Sequence, residues 1–382
     1  MDFSLNEDQR LFQKMFASFC AKEVRPRGGQ IDQEEEPPLD LLDKAVDQGF
    51  WAALVPEESD GAGLDTLTYM LMLEELARAD LSTAMILSVH NSLVVKPLLD
   101  HGNDAQKTQF LEALSFGEKL GAFALTEPGA GSDASAIQAT AKQVNGDYLL
   151  NGTKVWVCNG SHAGLILLFA NAPEGATAFL LEAGAPGLTI GYREKTLGHR
   201  GVSCNTLYLD NARGPAANRL GSEGQGLAIA LGALDLSRLG MAALALGASE
   251  RALEEAIRFS REHIQFGVPI AQKQAIQTYV ADAKVQIEAL RCLVTHVAWL
   301  AHTGQRFSTQ ASIAKLFGSR TACQVTDRML QVHGGYGYMK EYAIERYYRD
   351  CRALEIVEGS SQIQQVLIAR HVYGAEGLEI KP

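Results

Sequence analysis

Glu358 has the surroundings of a proton acceptor. It lies in Leu354-Glu355-Ile356-Val357-Glu358-Gly359-Ser360-Ser361-Gln362, hard against two branched apolar side chains and followed by a glycine and two serines. Burial of that carboxylate would raise its pKa and make it a usable base near neutral pH. A capping or loop carboxylate is the plainer reading of the same residues. A second constellation, Pro128-Gly129-Ala130-Gly131-Ser132-Asp133, follows strand-like Ala122-Phe123-Ala124-Leu125-Thr126. Its glycines would let backbone amides approach a phosphate, and Ser132 adds a hydroxyl donor. A dinucleotide fingerprint needs a long helix next and an acid ~20 residues further on. Strand-like sequence follows instead, so that reading fails, and alone the segment is a glycine loop. Trp156, in a strand beside Asn159-Gly160, could stack on a flat heterocycle or fill a core. Gly334-Gly335-Tyr336-Gly337-Tyr338 breaks the helix before it and permits close backbone approach to something flat or phosphorylated.

Metal chemistry finds no support. Cys20, Cys158, Cys204, Cys292, Cys323 and Cys351 contain no CxxC spacing. His162 and His296 each follow a cysteine by four positions, without a second pair at zinc-site spacing. These are read as free thiols behaving as small hydrophobes, not as a disulfide framework.

The elements that must hold these residues change character twice. Residues 1–120 read as helices. Ser4 with Glu7 has the form of a capping box, ahead of Leu11, Phe12, Met15, Phe16 and Phe19 at helical spacing. Further helices are expected over 66–79 and 105–115. Residues 121–220 carry short runs of Val, Ile, Leu, Thr and aromatics at 147–150, 154–157, 165–170, 176–181 and 206–209. Asn145-Gly146 and Asn151-Gly152 supply turn signals between them. Dense strands without intervening helices suggest an antiparallel barrel or sandwich. In residues 221–382 the helical period returns, with Ile276, Val280, Ala283, Ile287, Leu290, Val294 and Val297 forming a bundle seam. The fold class is therefore α+β, with an N-terminal helical domain, a central β domain and a C-terminal helical bundle.

Composition narrows the function. The chain has 382 residues, a size that suggests two or three packed units. Its net charge of -11 argues against a nucleic-acid partner, because phosphate-backbone affinity rests on Lys and Arg. No run reaches the ~18 uninterrupted apolar residues of a membrane span. The start, Met1-Asp2-Phe3-Ser4-Leu5, lacks a basic or Arg-rich leader character. The expected compartment is the cytoplasm, or the mitochondrial matrix for a processed eukaryotic protein.

In order and spacing these signals resemble the acyl-CoA dehydrogenase family. The matching segments begin with Leu125-Thr126-Glu127-Pro128-Gly129-Ala130-Gly131-Ser132-Asp133 and Asn151-Gly152-Thr153-Lys154-Val155-Trp156. Leu220-Gly221-Ser222-Glu223-Gly224-Gln225-Gly226, Leu234-Asp235-Leu236-Ser237-Arg238, Gln265-Phe266-Gly267 and Gln274 follow. The stretch Gln331-Val332-His333-Gly334-Gly335-Tyr336-Gly337-Tyr338, Glu345-Arg346-Tyr347-Tyr348-Arg349-Asp350 and the Glu358 segment complete the set.

The resemblance implies an FAD enzyme that desaturates an acyl-CoA thioester and passes the electrons to an electron-transfer flavoprotein. It makes Glu358 the base for the α-proton. It gives Phe123, Leu125, Thr126, Gly131 and Ser132 to the flavin, with Thr126 on the isoalloxazine and Ser132 at the pyrophosphate and the substrate. Trp156 would cover one flavin face, and Val157 and Cys158 would also contact the cofactor, Cys158 near the flavin N5. Asp235 and Arg238 would contact the acyl-CoA, and Gly359 would border the thioester. Ser360 and Gln362 would add FAD contacts. His263, Phe266, Gln274, Gln331, Val332, Gly334 and Gly335 would bind FAD across a subunit interface, which implies a homotetramer. Cys158 stands where the family usually has Thr or Ser, and a thiol is a weaker donor. His263 stands where it usually has Arg. Three other readings share the scaffold: desaturation of an acyl group on a carrier protein, an oxidase that passes the electrons directly to oxygen, and a catalytically retired flavoprotein serving as a binding module.

Overall fold

In the computed structural model residues 4–375 are described. The first three residues, part of the stretch read for a leader, and residues 376–382 of the C-terminal unit lie outside them.

The N-terminal helices start at side-chain caps. α1 (Glu7–Phe19) begins at Asn6, whose side chain accepts from the Gln9 amide at 2.8 Å, while Gln9 Oε1 accepts from the Asn6 amide at 3.0 Å. The expected Ser4–Glu7 box is therefore displaced by two residues. Asparagine caps as well as serine, and Gln9 closes the reciprocal bond. Short α2 (Gly28–Glu34) and α3 (Leu39–Val46) follow. α4 (Thr66–Ala79), capped by Asp65, has the bounds its apolar period predicts. α5 (Leu81–His90) passes through a π turn at Asn91–Val95 into α6 (Lys96–His101), and α7 is Asp104–Ser115.

Eight strands make the central sheet: β1 (Leu120–Ala124), β2 (Thr140–Val144), β3 (Asp147–Cys158), β4 (Ala163–Ala172), β5 (Gly175–Glu182), β6 (Leu188–Arg193), β7 (Cys204–Gly214) and β8 (Arg219–Leu220). They run in the order β6-β7-β3-β2-β4-β5-β8, with β1 also on β4. The pairing is largely antiparallel, as expected. Two parallel pairings were not legible: β1 lies along residues 163–168 of β4, and Thr140 of β2 pairs with Asn171 farther along. β1 and β2 thus follow one edge of β4 in the same direction, and the glycine loop is an excursion from that edge. Asn145-Gly146 makes the predicted β2–β3 turn, with φ of 51° and 87°. Asn151-Gly152 does not turn the chain. β3 continues through it with a bulge, and a Cβ on Gly152 (φ 145°) would meet the Ala139 Cβ at 2.8 Å.

β4 is apolar on both faces because it serves two interiors. Leu165, Leu167 and Phe169 pack with Val94, Leu98, Phe110 and Leu114 of the N-terminal helices. Ile166, Leu168 and Ala170 face Leu150, Val157 and Leu207 inside the sheet domain.

After the sheet come α8 (Gly226–Glu262), a hairpin of β9 (Ile264–Gln265) and β10 (Val268–Pro269), then α9 (Gln274–His302), α10 (Ser308–His333), α11 (Ala343–Ala353) and α12 (Ser361–Ala375). The predicted α9 seam is buried from Ala283 to Val297, with Ile276 and Val280 partly buried against the same core. One interior spans helices from both sides of the sheet, including Phe16, Tyr69, Leu73, Leu87, Leu239, Leu246, Ile287, Met329 and Tyr347. α4 and α8 touch closely at Gly247, where a Cβ would come within 2.2 Å of the Glu74 carbonyl. Arg291 of α9 pairs there with Glu74 at 3.0 Å and with Glu250. α8 is, by length and composition, long and apolar enough to cross a membrane, yet 67% of its most apolar window is buried within this fold.

Candidate active site

Glu358 sits in the turn between α11 and α12, with φ of 58°, followed by Gly359 with φ of 94°. A left-handed glutamate is strained and persists only where its surroundings over-determine it. Here the turn is gripped through its carbonyls. Gln364 Nε2 donates to the Glu358 carbonyl at 3.2 Å and to the Gly359 carbonyl at 3.0 Å. Arg238 Nε reaches the Glu358 carbonyl at 3.4 Å, and Lys315 Nζ donates to the Gly359 carbonyl at 2.6 Å. Ser360 caps α12, its hydroxyl accepting from the Ile363 amide at 3.4 Å. The residue is half-buried, but its Oε2 has neither solvent contact nor a hydrogen-bond partner. Burial pushes the carboxyl above its ordinary range, partly offset by nearby Ser237, Lys315 and Arg238. Among the described residues, no acceptor engages the amides of Glu358, Gly359 or Ser360. A carboxylate of raised pKa thus lies beside backbone donors able to polarise a carbonyl.

Phe123 of β1, Cys158 of β3, Leu234 of α8 and Val357 beside Glu358 pack against one core, and Cys158 lies near enough to feel the Glu358 charge. β1 is seated by His90, whose Nδ1 accepts from the Gly121 amide at 3.0 Å while Nε2–H donates to the Trp51 carbonyl at 3.2 Å. Burial pushes that imidazole down to about 4, so it stays neutral. Asn159 Nδ2 holds the Gly121 carbonyl at 3.0 Å.

The loop after β1 is staked from beneath. Lys154, fully buried, donates to the Leu125 carbonyl at 2.9 Å and to Glu127 Oε1 at 2.7 Å. The Glu127 carboxylate also accepts from the amides of Gln138 at 2.6 Å and Ala139 at 3.0 Å. Burial opposes the Glu127 charge, but Lys154 and the two amides outweigh it and hold the carboxyl below its usual range. The Val155 amide donates to the Thr126 carbonyl at 3.0 Å, which ties the loop to the strand bearing Trp156. Leu125 and Val157 are buried, whereas Gly131 and Ser132 lie exposed at the loop's far side. Trp156 has φ of 57° and 62% of its surface exposed, so it is not the core filler its strand position also allowed, and its ring is open to a ligand.

Asp235 and Arg238, one turn apart on α8, pair at 2.9 Å, and Ser308 donates to the other Asp235 oxygen. Arg238 is buried and grips the Glu358 turn, so the structure gives it a supporting place beside the one the resemblance implies. Cys158 faces Cys204 across β3 and β7. That neighbour, then burial, drives the Cys158 thiol well above its usual range, so it keeps its proton.

A second group gathers elsewhere. His263, Val332, Gly334 and Gly335 line a cleft of about 590 Å³ with His333, Tyr336 and Met339, and no residue of the Glu358 group lines it. His263 stacks on Phe259 at 4.9 Å. Phe266 occupies the β9–β10 turn with φ of 55°, where Asn or Gly is usual, and is 92% exposed. Gln274 and Gln331 are exposed at the start of α9 and near the end of α10, and Gln362 is exposed in the first turn of α12.

Sequence profiles of the acyl-CoA dehydrogenase N-terminal, middle and C-terminal domains match residues 6–118, 122–212 and 224–373. An acyl-CoA dehydrogenase of Bacillus subtilis is 40% identical over 97% of this chain and 99% of its own. The chain belongs to the acyl-CoA dehydrogenase family. The butyryl-CoA dehydrogenase of Megasphaera elsdenii superposes with a TM-score of 0.95 at 38% identity, covering 98% of this chain and 100% of that one. A chain in a structure concerned with the electron-transferring flavoprotein of Acidaminococcus fermentans gives 0.96 at 40% identity, over 97% and 99%. The enzyme is an oxidoreductase of the CH–CH bond, with FAD as its cofactor. Its residues fit that group: Cβ positions on Gly129, Gly131, Gly334 and Gly335 would meet nothing within 4 Å, and the Trp156 ring is uncovered.

Sequence reasoning gave no role to Lys154, Glu127, Lys315 or Gln364. The first two lie within matched motifs, and a lone lysine in an otherwise apolar strand is the signal that marks a buried pair. Lys315, set in Ser312-Ile313-Ala314-Lys315-Leu316, carries the same signal on a helix.

Proposed function

We propose that Glu358 removes the α-proton of an acyl-CoA thioester, the first half of an α,β-desaturation. The carrying observation is the buried, unpartnered Oε2 held in a left-handed turn beside free backbone amides. When bound, FAD supplies the acceptor for the β-hydride. The turn amides bind the thioester oxygen and stabilise the charge that builds there. Lys154 and Glu127 hold the Leu125–Ser132 loop against the flavin, Trp156 covers one face, and Arg238 and Gln364 keep the base in place. Asp235 and Ser132 border the acyl-CoA.

The second cleft completes the FAD site of a neighbouring copy, within the homotetramer that the family resemblance implies. Its support is the separation of the His263–Gly335 group from Glu358, together with the bare Phe266 ring. The electron acceptor is an electron-transferring flavoprotein and the substrate a short acyl chain, as the two structural relatives' descriptions suggest. A reducing compartment such as the cytoplasm suits the six unbridged cysteines. The test is Glu358→Gln. It should keep FAD and its fold but lose thioester-driven flavin bleaching by ~10²–10⁴, assayed with butyryl-CoA first and then with longer and carrier-bound thioesters. Near-normal bleaching in this variant sinks the assignment of the base.

A further inference from the structure

Lys315 projects from α10 with no exposed surface. Its Nζ donates to the Gly359 carbonyl at 2.6 Å, yet among the described residues it forms no ion pair. A buried ammonium with no carboxylate in direct contact is costly, so its position calls for a physical reason. The groups facing it are Glu358 and Glu355 from the turn after α11, Arg238 from α8 and Cys323 from its own helix. Glu358 in turn is faced by Ser237 and Arg238 of α8, Lys315, Tyr69 of α4 and Cys158 of β3.

The geometry points to Lys315 as the positioning residue of the base: its ammonium pins the Gly359 carbonyl, fixes the left-handed Glu358 turn, and balances the Glu358 charge before proton transfer. This rests on Glu358 being the base. The substrate's α-proton moves to the Glu358 carboxylate, and the proton on Lys315 stays where it is. Holding Gly359 matters because its carbonyl and the free Glu358 amide belong to the same short turn. A shift of that carbonyl would swing the carboxylate and the oxyanion donors together. Burial pushes Lys315 down to about 8, so the pinning form is present at neutral pH and is lost as pH rises through that value.

The test compares wild type, Lys315→Met and Lys315→Arg as FAD-loaded protein, by single-turnover flavin bleaching with butyryl-CoA from about pH 5 to pH 10. In wild type the rate should rise as Glu358 ionises and fall again around pH 8. Lys315→Met keeps the length and loses the charge. Its acid limb should move up by roughly one to three pH units, the size expected for removing a nearby opposite charge, and its fall around pH 8 should vanish. Lys315→Arg should keep the acid limb of wild type. An infrared carboxylate band, assigned to Glu358 by its loss in Glu358→Gln, gives a readout independent of turnover. In wild type that band should titrate and then shift again near pH 8 as Lys315 loses its proton. A Lys315→Met profile superimposable on wild type overturns the proposal. If that variant does not fold, a wild-type Glu358 band unmoved between pH 7 and pH 9.5 overturns it equally. Retained bleaching in Glu358→Gln would instead refute the base itself, whatever Lys315 does.

Discussion

Lys154→Met tests whether the Thr126–Ser132 loop, proposed to carry the flavin, is held from beneath. Methionine keeps the length of the stem but removes the ammonium that meets Glu127 Oε1 at 2.7 Å and the Leu125 carbonyl at 2.9 Å. Stranding one member of a buried pair costs about 3–5 kcal/mol. Glu127 keeps its amide bonds from Gln138 and Ala139, so the low end, about 3 kcal/mol, applies here. At roughly 2 °C per kcal/mol for a large chain, the thermal midpoint should fall by about 6 °C. FAD should also bind more weakly, because the Thr126–Ser132 loop loses its stake. Adding Glu127→Gln removes the stranded charge and should recover at least half of the lost midpoint, since an absent pair is cheaper than half a pair. The assay is a thermal melt with saturating FAD, beside a fluorescence titration of FAD into apoprotein. A single variant that melts within about 1 °C of wild type, with unchanged FAD affinity, refutes the reasoning.

Glu358→Gln should be no less stable than wild type, and its advantage should grow with pH. Burial raises the Glu358 pKa, so the stability linked to that group is full below its unfolded value and fades as pH rises through the folded one; melts from pH 5 to 8 check it, and an advantage that shrinks with pH would contradict the burial argument. Cys158→Thr puts a hydroxyl where the thiol keeps its proton, and should shift the flavin's midpoint potential; an unchanged potential and reduction rate would mean that Cys158 only packs. Phe266→Ala should leave secondary structure intact but weaken assembly, seen as smaller species in sedimentation. An assembly unchanged from that of wild type would remove Phe266 from the proposed interface.

The fold was legible where periodicity was strong. The 66–79 helix has the bounds its spacing predicts, and the α9 seam buries the residues it named. Errors came where one local signal serves two geometries. Ser4 and Asn6 both open a box-like pattern, and the partner that reaches back is Gln9. Asn151-Gly152 carries turn chemistry but marks a bulge, because the glycine is needed for Ala139 to approach, which no local pattern records. For the site, the resemblance named Glu358, Trp156 and the glycine loop. The groups that hold them were hidden by distance along the chain: Lys154 meets Glu127 from 27 positions away, and Lys315 meets Gly359 from 44. The second cleft was named only through the resemblance, which assigns its residues to a neighbouring subunit, and no local pattern in one chain marks such a role.

The common interior of the early and late helices bears on how this chain can be cut. Three profile segments suggest three separable modules, but among the described residues only the sheet has an apolar cluster drawn from its own strands and their margins. Phe16, Tyr69 and Leu87 share their neighbours with Leu239, Ile287 and Met329, and Arg291 spans the seam to Glu74. A fragment ending near residue 120 would bare that whole surface, and so would one beginning near 221. The two helical ends should therefore melt together and fail alone. During synthesis the early helices cannot complete that interior until the last third of the chain emerges.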